Sequence, residues 1–410
     1  MSSHSRTRVW IGALALGGIA LAGIDGACAA DPIKVGAAIE QVPPGRLWQT
    51  QQRQEGLQIA LKLINDAKGA LGRPFGLVVT NPQGPPDRSG EAVVEKLIDE
   101  NKVVAIIAAH DSAAAVASLE AAHQHKVPLI ADTPSQAFAA KLYPEGYNLG
   151  LSSRQIAVTV ADAMRALGLK RVVAFAENTD TGIELANFIG QQLNARGPGT
   201  EYSLEMLDPG ATDFSSVLQP YRTNPPDAII QLLRAPAAYR LIEQLHEQGL
   251  GPSAKTRLYD GATLIDDPAF WHTMKAPVDG MLVLSTSHPK IALPEIGRKV
   301  AEAYRAKTNL EPGNAVFSAA DELLVLAAAV ESGGSSESEA IAKALATLNW
   351  TGTRGKIGFS AERGESKYHQ WLDVPTVTFQ ITAARQAIGD TLVVQEPGKD
   401  FDAARVAKPK

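Results

Sequence analysis

The sequence predicts an α/β protein built as two doubly wound lobes, each a parallel sheet sandwiched between helices. Three observations lead there. Short runs rich in Val, Ile, Leu and Ala alternate along the chain with longer segments whose apolar residues recur every three or four positions, as Val93, Val94, Leu97 and Ile98 do. The short runs are apolar throughout, which marks strands covered on both faces, the condition of a parallel sheet between helices. There are also more of these strand and helix units than one open sheet usually holds.

Taken in order, the chain opens with Arg6 and Arg8, an apolar stretch over 9–22, and the small residues Gly26-Ala27-Cys28-Ala29-Ala30 before Asp31. That succession predicts a secretory leader over 1–30, cut after Ala29 or Ala30, because the apolar run is shorter than the ~20 residues a membrane-spanning helix needs. Asp25 stands three residues before Cys28, where a lipid-attached cysteine would follow an apolar residue, and argues against a lipid anchor. Cys28 is the only cysteine, so the exported chain is expected to have no disulfide, thiol nucleophile or cysteine-based metal site. With 39 basic and 44 acidic residues, well mixed, the formal charge of −5 argues against nucleic acid as a partner.

Strands are expected at 33–39, 75–80, 103–108 and 127–131, with helices at 55–67, 87–100 and 112–125. A break falls after Asn148-Leu149-Gly150-Leu151. The second series has strands at 171–176, 228–233, 256–259 and 281–284, with helices at 155–167, 181–193 and 236–248. Three helices follow at 294–307, 318–332 and 336–348, the last two linked by Gly333-Gly334-Ser335-Ser336, and then strands at 355–360 and 374–381. The charged tail over 397–410 has no apolar stripe and is expected to fray.

In open α/β sheets ligands bind beyond the carboxyl ends of the strands. Those ends read Glu40-Gln41, Asn81, His110-Asp111-Ser112, Asp132-Thr133-Pro134-Ser135, Glu177 to Thr181, Arg234 and Asp260, a polar set suited to a small polar ligand. No phosphate-binding loop, dinucleotide turn, nucleophile elbow or HExxH helix is present, and no cofactor or metal is expected. His123 and His125 stand two apart on a helix and face apart, so they read as surface residues. His110 and Asp111 beside Ser112 do not make a triad, because a base must reach its nucleophile from another element.

Several stretches resemble a known family. Gly56 to Asn65 is similar to its first helix. Gly210-Ala211-Thr212-Asp213-Phe214-Ser215 with Pro226-Asp227-Ala228-Ile229-Ile230 is similar to its second-lobe signature, and Trp350 to Phe359 to its last crossover. The family is that of the periplasmic substrate-binding proteins of ABC transporters, of the leucine/isoleucine/valine-binding, type I kind. The resemblance implies a monomeric, non-enzymatic periplasmic protein that closes on a small amino acid or carboxylate-bearing solute and delivers it to a membrane permease. It implies three crossovers, near Ser152, Leu284 and Gly352. One lobe is then 31–151 with 285–351, the other 152–284 with 352–384, and 385–410 is a C-terminal strand and tail. A sensing module of the same fold, reporting occupancy to a signalling partner, is the alternative.

The resemblance also implies site residues. Ser112, with the helix amides beside it, matches a carboxylate holder; Thr133 and Ser135 match a loop that takes carboxylate and ammonium groups; Asp260 matches an ammonium partner; and Trp48 lies where an aromatic wall stands. Each has a plainer reading: Ser112 as a helix cap, Thr133 and Ser135 as turn formers, Trp48 as core. The sequence departs from the family at Thr181, where an aromatic residue closes over the ligand, and at Arg234. An arginine in a closing cleft needs an anionic partner, either Asp260 or a ligand carboxylate. The loop Asn81-Pro82-Gln83-Gly84-Pro85-Pro86 replaces an Asp-rich one. The solute itself stays open.

Overall fold

A computed structural model describes residues 31–39, 47–80, 86–195, 199–252, 255–364 and 366–408. The expected leader over 1–30 and the loop from Asn81 to Pro85 lie outside the described residues. The elements are β1 (Ile33–Ala38), α1 (Leu47–Asp66), β2 (Phe75–Thr80), α2 (Pro86–Asp99), β3 (Ala105–Ile107), α3 (Ser112–Gln124), β4 (Leu129–Ala131), α4 (Gln136–Ala140), β5 (Gly146–Asn148), α5 (Ser153–Ala166), β6 (Arg171–Glu177), α6 (Asp180–Ala195), β7 (Glu201–Leu207), α7 (Ser215–Thr223), β8 (Ala228–Gln231), α8 (Ala237–Glu247), β9 (Arg257–Asp260), α9 (Phe270–Thr273), β10 (Leu282–Ser285), α10 (Glu295–Thr308), α11 (Asn314–Gly333), α12 (Ser338–Ala346), β11 (Trp350–Thr351), β12 (Lys356–Ile357), β13 (Val377–Gln380) and β14 (Leu392–Gln395).

Two larger sheets result. The first is five-stranded, ordered β2-β1-β3-β4-β5 and parallel throughout, with Ile33 opposite Phe75 and Val35 opposite Ala105. The second is seven-stranded, ordered β14-β13-β10-β9-β8-β6-β7. It is parallel from β7 to β10, but β13 runs antiparallel to both β10 and β14. Successive residues of one strand enter opposite cores, as the two-residue period of a strand requires. In β6, Val173 and Phe175 join one apolar cluster while Val172, Ala174 and Ala176 join another, and β3 divides the same way between Ala105 and Ile107 on one side and Ile106 on the other. This two-sided burial is why the strand runs read as continuous apolar stretches.

Local signals fix the helix ends. Ser152 and Gln155 close a reciprocal capping box that starts α5 just past the sheet-to-sheet passage, and Gly334, at φ 64, ends α11 in the left-handed region that glycine enters without strain.

Three expectations need correction. As far as Lys408 the tail does not fray: Phe401 is buried in the second sheet's core, and Gln380 both donates to the Ala407 carbonyl (3.1 Å) and accepts from the Ala407 amide (2.7 Å). The segment 352–374 does not go with the second sheet, since Ile357, Phe359, Trp371 and Val374 lie in the same core as Ile33 and Val35. The chain reaches the second sheet only at Val377, so the last passage falls some twenty residues beyond Gly352. Strand β7 went unread because its sequence, Glu-Tyr-Ser-Leu-Glu-Met-Leu, interleaves charge at a sheet edge where only part of its surface is covered.

Candidate functional site

A cleft of ≈ 960 Å³ opens where the carboxyl ends of the two sheets' strands face each other. From the first sheet come the β3–α3 turn with His110, Asp111 and Ser112, the β4–α4 turn with Asp132, Pro134 and Ser135, and the starts of α1 and α11. From the second come the β6–α6 turn with Glu177, Thr179 and Thr181, Leu232 and Arg234 after β8, and Gly261 to Thr263 after β9. This is the convergence of strand ends and helix starts where α/β sheets place ligands.

Five of the seven expected residues line it: Trp48, Ser112, Ser135, Thr181 and Arg234. The indole N–H of Trp48 is buried and meets no hydrogen-bond acceptor among the described residues. Ser112 is not the cap of α3. Asp111 is, its Oδ1 accepting from the amides of Ala113 (3.0 Å) and Ala114 (3.3 Å), while Ser112 Oγ lies 2.9 Å from Thr133 Oγ1. Ser135 does cap, taking the Ala137 amide at 3.2 Å. At the start of α6 Thr179 takes a helix amide, that of Gly182 at 3.1 Å.

Thr133 and Asp260 stand behind the wall. Thr133 is fully buried, with its amide on Asn148 Oδ1 (3.1 Å) and its hydroxyl accepting from Ser135 N (3.3 Å). The buried Asp260 carboxylate accepts from Gln231 Nε2 (3.1 Å) and from the amides of Ala262 (2.9 Å) and Leu264 (2.8 Å), so it shapes the β9 turn. Burial pushes it up to about 6 despite those donors.

Arg234 is therefore paired neither with Asp260 nor by default with a ligand. Its Nε and Nη2 lie 2.8 and 2.7 Å from Glu177 Oε2, and Glu177 Oε1 also accepts the Arg234 amide at 2.9 Å. The sequence did not reveal this partner, although Glu177 closes its strand as Arg234 follows its own. Across the cleft, Arg234 Nη1 is 4.0 Å from Asp111 Oδ2.

Two further arginines were missed. Arg53 Nη2 meets Glu322 Oε2 at 2.9 Å, and Arg53 Nη1 lies 3.8 Å from Asp132. Arg354 binds Thr286 Oγ1 (2.8 Å) and sits 3.3 Å from Asp321. Burial alone would raise Asp132, but the charges of His110 and Arg53 outweigh it and hold that carboxyl below its usual range. Glu322 goes the other way, pushed up to about 8 by burial that Arg53 only partly offsets. Arg53 on α1 and Asp321 and Glu322 on α11, with Arg53 and Glu322 269 positions apart, look in a linear reading like ordinary helix polarity, and no spacing signals them.

Contacts also cross the cleft at its edges. Asp266, beyond β9, accepts the Asn314 amide at the start of α11 (2.8 Å), and its carbonyl accepts from Gln52 Nε2 (3.1 Å). Glu184 on α6 accepts the Gln136 amide at the start of α4 (3.1 Å). Among the described residues no group of three or more His, Cys, Asp or Glu is placed to hold a metal ion, and no helix is long and apolar enough to cross a membrane. His123, read as a surface residue, contacts Glu145 Oε2 at 2.6 Å and stacks on Tyr143.

A comparison with curated protein sequences finds no match. Among solved structures, the leucine-binding protein LivK of Thermotoga maritima superposes with a TM-score of 0.75 at 23% identity, over 91% of this chain and 99% of that one. LivJ of Streptococcus pneumoniae, in complex with isoleucine, gives 0.75 at 21% identity over 89% and 99%. A solute-binding protein of Rhodopseudomonas palustris in complex with benzoate gives 0.75 at 16% identity over 92% and 99%. These likenesses establish the type I binding-protein fold. The sequence profile described as periplasmic binding protein matches residues 32–372, and the chain belongs to that family.

Proposed function

We propose that the protein is the extracytoplasmic capture subunit of an ABC importer, taking up a small amino acid or other carboxylate-bearing solute and handing it to a membrane permease. The observation that carries this is the cleft of ≈ 960 Å³ between the strand ends of two sheets, lined from both by a few charged and hydroxyl groups set in a largely apolar wall. In this reading one lobe is built on the five-stranded sheet and the other on the seven-stranded one. The chain passes between them near 149–152, 285–288 and 374–376. The lobes close over the solute as a hinge, a class of motion that the handling of solutes by periplasmic binding proteins exemplifies. The charged, apolar and small segments of residues 1–30 supply the export signal. Two structural relatives carry isoleucine and benzoate, both carboxylates, which supports a carboxylate-bearing solute here.

The test is a thermal-shift screen of the purified protein, unfolded and refolded to strip any carried solute, against amino acids, aromatic acids, dicarboxylates and amides. A solute at ~100 times its dissociation constant adds about 2.7 kcal/mol to folding stability and raises the melting temperature visibly. Stabilisation by one or more of these compounds is expected; stabilisation by none sinks the reading.

A further inference from the structure

We infer that Asp111 and Arg234 form a charge pair split across the cleft into which the solute inserts, its carboxylate going to Arg234 and its ammonium to Asp111. This rests on the solute-capture reading and specifies how that site reads charge. The orientation is the reverse of the one that the resemblance implies for Ser112.

The first ground is that the α3 end is already occupied by an anion. Asp111 Oδ1 takes the amides of Ala113 and Ala114 at 3.0 and 3.3 Å. A solute carboxylate brought to Ser112 would face a like charge that already holds those donors, which disfavours it there. What Asp111 favours beside it is a donor or a cation.

The second ground is the state of the three arginines that line the cleft. The side chains of Arg53 and Arg354 are 5% and 3% exposed, and each is tied to a buried carboxylate, Glu322 at 2.9 Å and Asp321 at 3.3 Å. Arg234 is 41% exposed. Its Nε and Nη2 are engaged by Glu177, and its Nη1 faces Asp111 Oδ2 at 4.0 Å. That distance is at the limit of ion-pair contact and too long for a hydrogen bond. A partly exposed pair at such a distance is weak, so exchanging it for two charge-assisted hydrogen bonds to a solute is favourable.

Charge balance then selects among solutes. An α-amino acid carries both charged groups on its α-carbon and adds no net charge, so Asp111 gains an ammonium neighbour and Arg234, which keeps Glu177, gains a carboxylate. An acid without an amine leaves its carboxylate beside Asp111, and an amine without an acid leaves its cation beside Arg234. Because Asp111 follows β3 of the first sheet and Arg234 follows β8 of the second, engaging both ties the two sheets together through the solute. Only a solute that prefers that joined state can shift the protein toward it.

Isothermal titration calorimetry on the purified protein tests this with two matched sets: phenylalanine, 3-phenylpropanoate and phenethylamine; and leucine, 4-methylpentanoate and 3-methylbutylamine. In at least one set the amino acid is expected to bind on the order of tenfold or more tighter than its acid or amine. Asp111→Asn keeps a good helix cap, so it folds, and is expected to bring the acid to within about threefold of the amino acid. Arg234→Lys, which keeps the charge but loses the fork, is expected to weaken the amino acid and the acid together. An acid that binds the parent as tightly as its amino acid overturns the inference, as does an amino acid to acid ratio unchanged in Asp111→Asn. Binding of none of the six probes also overturns it, while the solute-capture reading stands or falls separately on the wider thermal-shift screen.

Discussion

Ser112 and Arg234 show how differently two residues lining one cleft respond to truncation. With Asp111 capping α3, the Ser112 hydroxyl has no helix amide to hold, and its contact is Thr133 Oγ1. Ser112→Ala is therefore expected to leave melting within about 0.5 kcal/mol of the parent, while weakening solute binding by about 1 kcal/mol if the hydroxyl reaches the solute. Parallel denaturation and calorimetry check this, and a loss of stability with unchanged binding would return Ser112 to a structural role. Arg234→Ala must do both kinds of damage, because Glu177, with a side chain 7% exposed, would keep the amide of residue 234 on Oε1 but lose the guanidinium on Oε2. Leaving such a buried acceptor unpaired costs about 1–3 kcal/mol. Adding Glu177→Gln to Arg234→Ala removes the orphaned charge, so the double variant is expected to recover stability but not binding. Recovery of both would take Arg234 out of the site.

At the scale of elements, the start of α11 is held by a residue from the facing side of the cleft. Asp266 accepts the Asn314 amide, and burial pushes this carboxyl up to about 7 against an unfolded value of about 3.9. A raised carboxylate favours folding when protonated, so the stability it contributes is full below about pH 4 and is lost as pH rises toward 7. Asp266→Asn is expected to gain stability relative to the parent between pH 4 and pH 8, by a few kcal/mol at most, since three units correspond to about 4 kcal/mol. Urea titrations at both pH values read the difference; a constant offset between variant and parent would rule out the shift. His369 works in the opposite sense. Its ring stacks between Tyr147 and Tyr368, and burial lowers it to about 4, so it costs stability as pH falls from 6.5 toward 4, a loss that His369→Asn is expected to remove. What was legible at this scale followed from burial. The strands covered on both faces and the long amphipathic helices could be read because their apolar period is set by the layers around them. Edge strand β7 and the three-residue β5 could not, since one is interleaved with charge and the other is too short to show a period. Arg234 was legible as a cleft residue, but its partner Glu177 was not, because partnership depends on strand order and sequence alone does not give that order.

Across the whole molecule, the two sheets are joined by chain passages and by hydrogen bonds that owe nothing to a solute. On the first sheet's side, Asn148 at the end of β5 donates to Gln370 Oε1 at 2.7 Å and Gln370 donates on to the Gly150 carbonyl, so the chain segments that lead into the first and last passages are held side by side. At the cleft edge, the Gln136 amide donates to Glu184 at 3.1 Å; neither residue lines the cleft, though their neighbours Ser135, Ala137 and Leu185 do. If closure carries function, such a contact adds to the closed state alone, and a solute's apparent affinity is its intrinsic affinity scaled by the population able to hold it. Glu184→Ala should then lower the affinity of every solute by one common factor, about fivefold for a bond worth about 1 kcal/mol. Asp111→Asn should instead change the ratio between solutes, because it touches what they carry. Titrating one neutral amino acid and one acid into the Glu184→Ala variant separates the two effects: equal fold losses place Glu184 in the hinge equilibrium, and unequal losses place it against the solute.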